Sequence, residues 1–422
     1  MIAFLINALK IIFLLGFLVL IHEGGHFVVA KLCKVKVNEF AIGFGPTLIS
    51  KQTKETKYAL HLIPLGGFVS LEGEEEHSNV EGSFSNTSIP KKIAIIVAGG
   101  AVNIIFGLLV YFILISSSGN FSNNVVDYTL DNYSAKEAGI VQKDQIISIN
   151  DKKVKTSKDI NKYLLSLKNE EKINLKVKRE NEIINVELQP TNIQSKDLGI
   201  YFSSKENTTN QVKIIALDKD APAQKAGIKE NDIIVEINGK EISNNYEAVE
   251  LIQNSETENI KLKIKRNEKI LEFDVKPNIK NNYFLGIVFE KAENTLKNKL
   301  YYGAISTNEF IVSIFDNLKE VFTGKVNVNQ MVGIVGISDI VVQTSGAYEY
   351  IYMLALISLS LGLTNLLPFP PLDGGKIVIY LIEAIRKKQM NEKIEIQLQM
   401  LGFALLILLS IYITYNDILR II

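Results

Sequence analysis

Long stretches of this 422-residue chain lack charge altogether, and cysteine and histidine are scarce throughout. A single cysteine, Cys33, excludes an intrachain disulfide framework and a zinc site built of cysteines alone. Lys and Arg total 46, as do Asp and Glu, so the basic excess that marks a nucleic-acid binder is missing and no nucleic-acid partner is expected. No Asp, Glu, Lys or Arg occurs in 93–126, 351–372 or 396–416, and 1–30 carries only Lys10 and Glu23. Residues 127–300, by contrast, are dense in Lys, Glu, Asp and Asn. A soluble globular protein does not sort its charges this way. The pattern is that of a protein embedded in a lipid bilayer with a polar insert.

A helix needs about 20 apolar residues to cross a bilayer. Four segments qualify, roughly 4–29, 93–116, 350–367 and 397–415. The first could be a signal peptide, but it has no basic leader and no small-residue cleavage site, and so reads as a retained span. Lysines set the expected orientation: Lys31, Lys34 and Lys36 follow span 1, Lys91 and Lys92 precede span 2, and Arg386, Lys387, Lys388 and Lys393 separate spans 3 and 4. These flanks are expected to be cytoplasmic, with the insert at 120–345 outside.

The insert repeats itself. Ser134-Ala-Lys-Glu-Ala-Gly-Ile140 matches Pro222-Ala-Gln-Lys-Ala-Gly-Ile228, and Asp144-Gln-Ile-Ile-Ser-Ile-Asn150 matches Asp232-Ile-Ile-Val-Glu-Ile-Asn238. Further on, Ile173–Arg179 matches Ile260–Arg266, and Leu198-Gly199-Ile200 matches Leu285-Gly286-Ile287. Short β-rich runs such as Ile146–Ile149 and Ile173–Val177, with helical spacing at 157–167 and 244–253, predict an α+β unit. The small-Ala-x-x-Ala-Gly-Ile, Asp-x-Ile and Ile-Asn-Gly pattern resembles PDZ domains of bacterial proteases. Such units are expected to bind extended peptides by strand addition, or to serve only as spacers or size filters.

His22-Glu23-Gly24-Gly25-His26 is the sharpest signal. Histidines at i and i+4 share one helical face and can both reach a tetrahedral Zn²⁺, with Glu23 placed to take a proton from activated water. Ionisable groups inside a span are costly, which favours a functional role over two satisfied histidines. A catalytic zinc usually takes three protein ligands. Cys33, His61, His77, Asp339, Asp373 and Asp417 are candidates for the third. Cys33 lies seven residues beyond His26, too far along the helix axis. Asp373 precedes Gly374-Gly375, which allow close backbone approach, although it could simply cap the following helix. A fourth protein ligand would make the metal structural and the chain a non-catalytic, peptide-binding scaffold. Only three good ligands are visible, with a Glu in the base position.

Residues 58–71 are too short and broken for a span and read as strands around the Pro64-Leu-Gly-Gly67 turn, either a re-entrant hairpin beside the metal or an ordinary cytoplasmic one. Glu72–Glu76 reads as a solvated acidic turn. Residues 300–345, with Gly324, Gly333 and Gly336, read as helical elements of a gating or membrane-surface kind.

His22-Glu23-x-x-His26, together with Asn365-Leu-Leu-Pro368-Phe-Pro370-Pro-Leu-Asp373-Gly-Gly, resembles the paired motifs of the site-2 protease family. Two PDZ-like units between spans 2 and 3 make the chain most similar to regulators of sigma-E of that family. Gly43-Phe-Gly-Pro46, Ile63-Pro-Leu-Gly-Gly67 and Asn416-Asp-Ile-Leu-Arg420 agree. Gly99-Gly100-x-x-Asn103 has glycine where the family commonly shows proline, and the glycines of His-Glu-Gly-Gly-His are less usual there. The resemblance implies an intramembrane zinc metalloendopeptidase with His22, His26 and Asp373 as metal ligands and Glu23 as base. Asn365 and Pro370 would hold the substrate, although Asn365 could instead make an interhelical hydrogen bond. It also implies single-span membrane substrates, such as anti-sigma factors or remnant signal peptides, and a bacterial cytoplasmic membrane.

The expected fold is a polytopic α-helical membrane protein with four transmembrane helices, a membrane-associated β-hairpin and two tandem extracytoplasmic PDZ-like (α+β) domains. The expected divisions are 1–119 and 349–422 for the catalytic halves, 120–205 and 206–292 for the PDZ-like domains, and 293–348 for a linker.

Overall fold

The computed structural model describes residues 2–74, 78–202, 212–323, 332–344 and 346–421. The chain forms two compact units: Met1–Gly119 with Asn294–Ile422, and Asn120–Glu293.

Among the described residues of the first unit, four helices are long and apolar enough to cross a membrane: Ile6–Leu32, Ile89–Ser118, Ala347–Asn365 and Lys393–Leu419. They match the four uncharged runs, and most extend a few residues into the charged flanks. The third stops at Asn365, short of the expected 367, because Pro368 lies ahead and bars the residue before it from helical geometry.

Helix α2 (Ile89–Ser118) is central to this unit. It packs against α1 (Ile2–Leu32), Leu296–Phe322, Ala347–Asn365 and Asp373–Arg386. Apolar side chains gain little from meeting one another in lipid, so close approach at small residues supplies the packing. A Cβ on Gly25 of α1 would lie 2.5 Å from the Ala98 carbonyl oxygen of α2, and one on Gly362 would lie 2.5 Å from that of Gly100. Gly25, Gly99 and Gly100, three of the four glycines that depart from the family pattern, therefore sit at close helix contacts, whereas Gly24 does not.

Strands β1 (Val37–Gln52) and β2 (Lys57–Leu71) form one small sheet. The expected hairpin around the Pro-Leu-Gly-Gly turn is not formed. Glu39 faces both Lys57 and Ser70, Phe40 both Tyr58 and Val69, and Ala41 both Ala59 and Phe68. The first half of β1 thus separates the two halves of β2, while Ile49–Gln52 pairs with 57–60 on the far side. Positive φ at Gly43 (85°), Gly45 (88°) and Gly66 (113°) lets each long strand bend into two rows. Gly67–Leu71 is an outer row, paired on one side only among the described residues.

The 300–345 region forms the helices Leu296–Phe322 and Ile334–Gln343, and Gly324 lies outside the described residues. Asp417 Oδ2 accepts the amides of Gly333 and Gly336 at 3.0 and 2.9 Å, so the last span caps the second of these helices.

The second unit carries the repeat. Its matching strands are Gln145–Ile149 and Ile173–Arg179 in one copy, and Ile233–Ile237 and Ile260–Arg266 in the other; the matching helices are Ser157–Ser166 and Asn245–Gln253. Each copy pairs a buried aspartate with a partly exposed arginine. Arg179 Nε and Nη2 both donate to Asp144 at 2.8 Å, and Nη2 also reaches the Gly139 carbonyl. Arg266 repeats this on Asp232 and Gly227. The strand pairing is not sequential, however. Ile287–Lys291, at the end of the second copy, pairs with Ser122–Thr129 of the first, and Ile200–Phe202, at the end of the first, pairs with Val212–Leu217 of the second. The cores agree: Tyr283 and Leu285 are buried with Ile146 and Leu175, whereas Leu198 is buried with Ile234 and Leu262. Thr191–Asp197 and Asn278–Phe284 pair where the chain crosses between the two sheets.

Candidate metal centre

Two helices supply the ligands. His22 and His26 lie one turn apart on α1, and Asp373 opens the helix Asp373–Arg386. Asp373 does not cap that helix: Leu372 holds the cap position, with no side-chain capping bond. Its carboxylate instead meets both histidines. Asp373 Oδ2 lies 3.3 Å from His22 Nε2 and 3.4 Å from His26 Nε2, and the two Nε2 atoms are 3.2 Å apart. Ligand atoms about 2.0–2.1 Å from a tetrahedral zinc lie about 3.4 Å from one another. The triangle therefore has the dimensions of one face of such a site, leaving the fourth corner to water.

The hydrogen bonding supports that fit. His26 Nδ1 lies 2.9 Å from the carbonyl of Ile95, which can only accept, so Nδ1 carries the proton and Nε2 presents a lone pair. That lone pair faces an anionic oxygen and a second ring nitrogen. Asp373 Oδ2 is buried and accepts no hydrogen bond, despite two ring nitrogens within 3.4 Å. The His26 lone pair and the Asp373 oxygen, two acceptors at 3.4 Å, fit a cation held between them. His22 is 8 % exposed and His26 is half-buried, so water does little to screen them.

Close packing holds the triangle. A Cβ on Gly99 of α2 would strike the His26 ring and lie 2.8 Å from His22 Cε1, so only glycine lets α2 pass behind the imidazoles. Cβ atoms on Gly374 and Gly375 would meet the backbone of Leu366, Leu367 and Pro370, the close approach expected of these glycines. Glu23 makes no hydrogen bond or ion pair with any described residue, and its Cγ lies 3.7 Å from where a Cβ on Gly67 would be. The outer row of the sheet thus runs beside the carboxylate.

The other sequence candidates lie apart. Cys33 follows α1 and packs with Val35 and Val37. His61 is in the sheet, 3.9 Å from Glu39 and 3.4 Å from Thr47 Oγ1. Asp339 lies in Ile334–Gln343, Asp417 caps that helix, and His77 lies outside the described residues. Asn365 ends the third span, and Pro370 sits in the loop between it and Asp373.

Two features were not foreseen. Glu72 and Glu74 do not form a merely solvated turn. Glu72 accepts hydrogen bonds from Asn38 and Ser78, and Glu74 pairs with Lys376 at 2.8 Å, tying the sheet to the Asp373 helix. Ser358 of the third span donates to the Asn103 carbonyl at 2.9 Å. Both are contacts over long sequence distance between residues of ordinary composition, and no motif announces them.

The chain resembles known proteins. The family model described as peptidase family M50 matches residues 10–409. The chain is 28 % identical to zinc metalloprotease RasP of Shouchella clausii, over 97 % of this chain and 98 % of that one. It is 27 % identical to the regulator of sigma E protease of Haemophilus influenzae, over 99 % of this chain and 100 % of that one. Among solved structures it is similar to the HtrA3 PDZ domain bound to a phage-derived ligand, at 19 % identity and a TM-score of 0.20, over 22 % of this chain and 93 % of that one.

Proposed function

We propose, from the premise that this chain belongs to peptidase family M50 and is a zinc metalloprotease, that it cuts single-span membrane proteins within the bilayer, using His22, His26 and Asp373 to hold zinc and Glu23 as the base. The observation that carries this reading is the triangle of ligand atoms at 3.2–3.4 Å. His22, His26 and Asp373 would hold zinc there, which would supply Lewis-acid chemistry to polarise a carbonyl and lower the pKa of water. Glu23, with no hydrogen bond or ion pair to any described residue, takes the proton from the attacking water and returns it to the leaving amine. A helical substrate shields its peptide bonds and must unwind to be cut. The outer row Gly67–Leu71, beside Glu23, offers a sheet edge to the unwound strand. Asn365 steadies the scissile carbonyl and Pro370 shapes the loop that receives it.

We read the two sheets of Asn120–Glu293 as PDZ-like modules, each taking its last strand from across the repeat boundary near 205. Leu198-Gly199-Ile200 and Leu285-Gly286-Ile287 lead into strands that lie at the sheet edges, where a peptide could add. The lysine flanks favour these modules outside the cell and the metal centre near the cytoplasmic face of the membrane. Membrane-bound anti-sigma factors and remnant signal peptides are the proposed substrates. Metal analysis of the purified chain tests the ligand set. Asp373→Ala should lose zinc while Cys33→Ala and His61→Ala retain it, and release of zinc by Cys33→Ala would overturn the assignment.

A further inference from the structure

The N-terminus of α2 opens onto a cavity of about 380 Å³ that has no part in the metal centre. Its walls include Thr87, Ser88, Lys92, Glu383, Lys387 and Lys388. Lys92 is the unusual member. It is 7 % exposed, lies 5.5 and 5.4 Å from the ring centres of Phe84 and Tyr380, and has no carboxylate within the 4.0 Å ion-pair limit among the described residues. Two aromatic faces and the more distant charges of Glu383 and Glu395 compensate this buried ammonium only in part. Glu383, the one carboxylate on the wall, already accepts the Met390 amide on Oε1 at 2.7 Å. Ser88 is the N-cap of this 30-residue helix and makes no side-chain capping bond, so the positive end of the helix faces the same space. Retention of loop lysines on one side of the membrane accounts for exposed residues such as Lys387 and Lys388, but not for a lysine buried against two rings.

We propose that this cavity binds a phosphate-bearing anion, which in a membrane is the head group of an anionic phospholipid. The chemistry is that of an anion site: a helix N-terminus, one buried and two exposed ammonium groups, and a free hydroxyl, at the end of a span where head groups lie. A glycerophosphate fits the volume. Occupancy bears on the peptidase through Tyr380, which is on the same helix as Asp373, two turns further on. Binding here joins α2 to that helix and so steadies the third ligand. The anion site shares no lining residue with the metal centre, and only its effect on Asp373 rests on the peptidase reading.

The test uses the full chain in detergent micelles, titrated with phosphatidylglycerol, with phosphatidylcholine, or with inorganic phosphate, reading the melting temperature and the zinc retained. Phosphatidylglycerol should raise the melting temperature and phosphatidylcholine should not. Lys92→Met should shift the half-saturating phosphatidylglycerol concentration upward about tenfold or more, while zinc stays bound. The double variant Lys387→Gln, Lys388→Gln should shift it in the same direction, and decides the matter if Lys92→Met does not fold. A lysine-dependent rise with inorganic phosphate alone would keep the site and assign it to a soluble phosphate. An equal response to phosphatidylcholine, or a phosphatidylglycerol response unchanged in the folded variants, would overturn the proposal.

Discussion

Gly24 and Gly25 are neighbours within the metal motif, yet the structure predicts opposite outcomes for the same substitution. At Gly24 an added Cβ meets nothing within 4 Å. At Gly25 it would lie 2.5 Å from the Ala98 carbonyl oxygen and 2.9 Å from its carbon, both backbone atoms of α2 that cannot rotate away. To restore even a tight 3.4 Å contact, α1 must back away from α2 by about 0.9 Å, the difference between those distances. His26 is bound to α2 through Ile95, while Asp373 comes from a third helix, so the ligands cannot follow as one body. A zinc site tolerates about 0.2 Å in ligand distance. A displacement near 1 Å at a reacting centre costs about a hundredfold in rate. Gly25→Ala is therefore expected to lower zinc retention and cut cleavage of a single-span substrate about a hundredfold. Gly24→Ala, which gains the same intrinsic helix preference, should retain zinc and activity. Metal content per chain and initial cleavage rates of the two variants, side by side, are the assay. Equal behaviour of the two, in either direction, would refute the reasoning from the helix crossing.

Two further predictions concern the sheets. Val69→Pro removes a backbone N–H from the outer row beside Glu23, and should slow proteolysis while leaving zinc in place; an unchanged rate would mean that the row does not bind substrate. In the second unit, Asp144 is fully buried. Burial alone would raise its carboxyl, but the Arg179 guanidinium holds it below the ordinary carboxylate range. A depressed carboxyl contributes stability above its unfolded pKa, and that contribution fades as pH falls through the folded one. Arg179→Gln should thus cost about 2–3 kcal/mol at neutral pH, and progressively less as the medium is acidified below about pH 4. Hydrogen exchange across Asn120–Glu293 against pH would read this, and a pH-independent loss would contradict it.

The spans and the metal motif were legible because each is a local pattern. Twenty uncharged residues announce a span, and two histidines one turn apart announce a shared face. The repeat was legible because Asp144 and Asp232, with Arg179 and Arg266, recur at matching places in a pattern of apolar residues. What could not be read were choices between equally apolar partners far apart in sequence. Nothing in Lys57–Leu71 says that Val37–Phe44 will separate its halves, since each row is compatible with either neighbour. Nothing local sends Ile287–Lys291 to the first sheet rather than the second, because its leading Leu-Gly-Ile is shared by both copies. The depth of Lys92 was equally hidden, because it looks like any flanking lysine until Phe84 and Tyr380 close over it.

Glu23 either moves a proton or holds the metal. Glu23→Gln keeps the shape of the side chain and removes its basicity, so zinc content and cleavage, measured on the same preparation in membranes with a single-span substrate, separate the two roles. The prediction is zinc retained at the wild-type level, with cleavage lowered at least about a hundredfold, the usual range for loss of a general base. Zinc lost with activity would make Glu23 a ligand, and cleavage at the wild-type rate with zinc in place would contradict the mechanism itself.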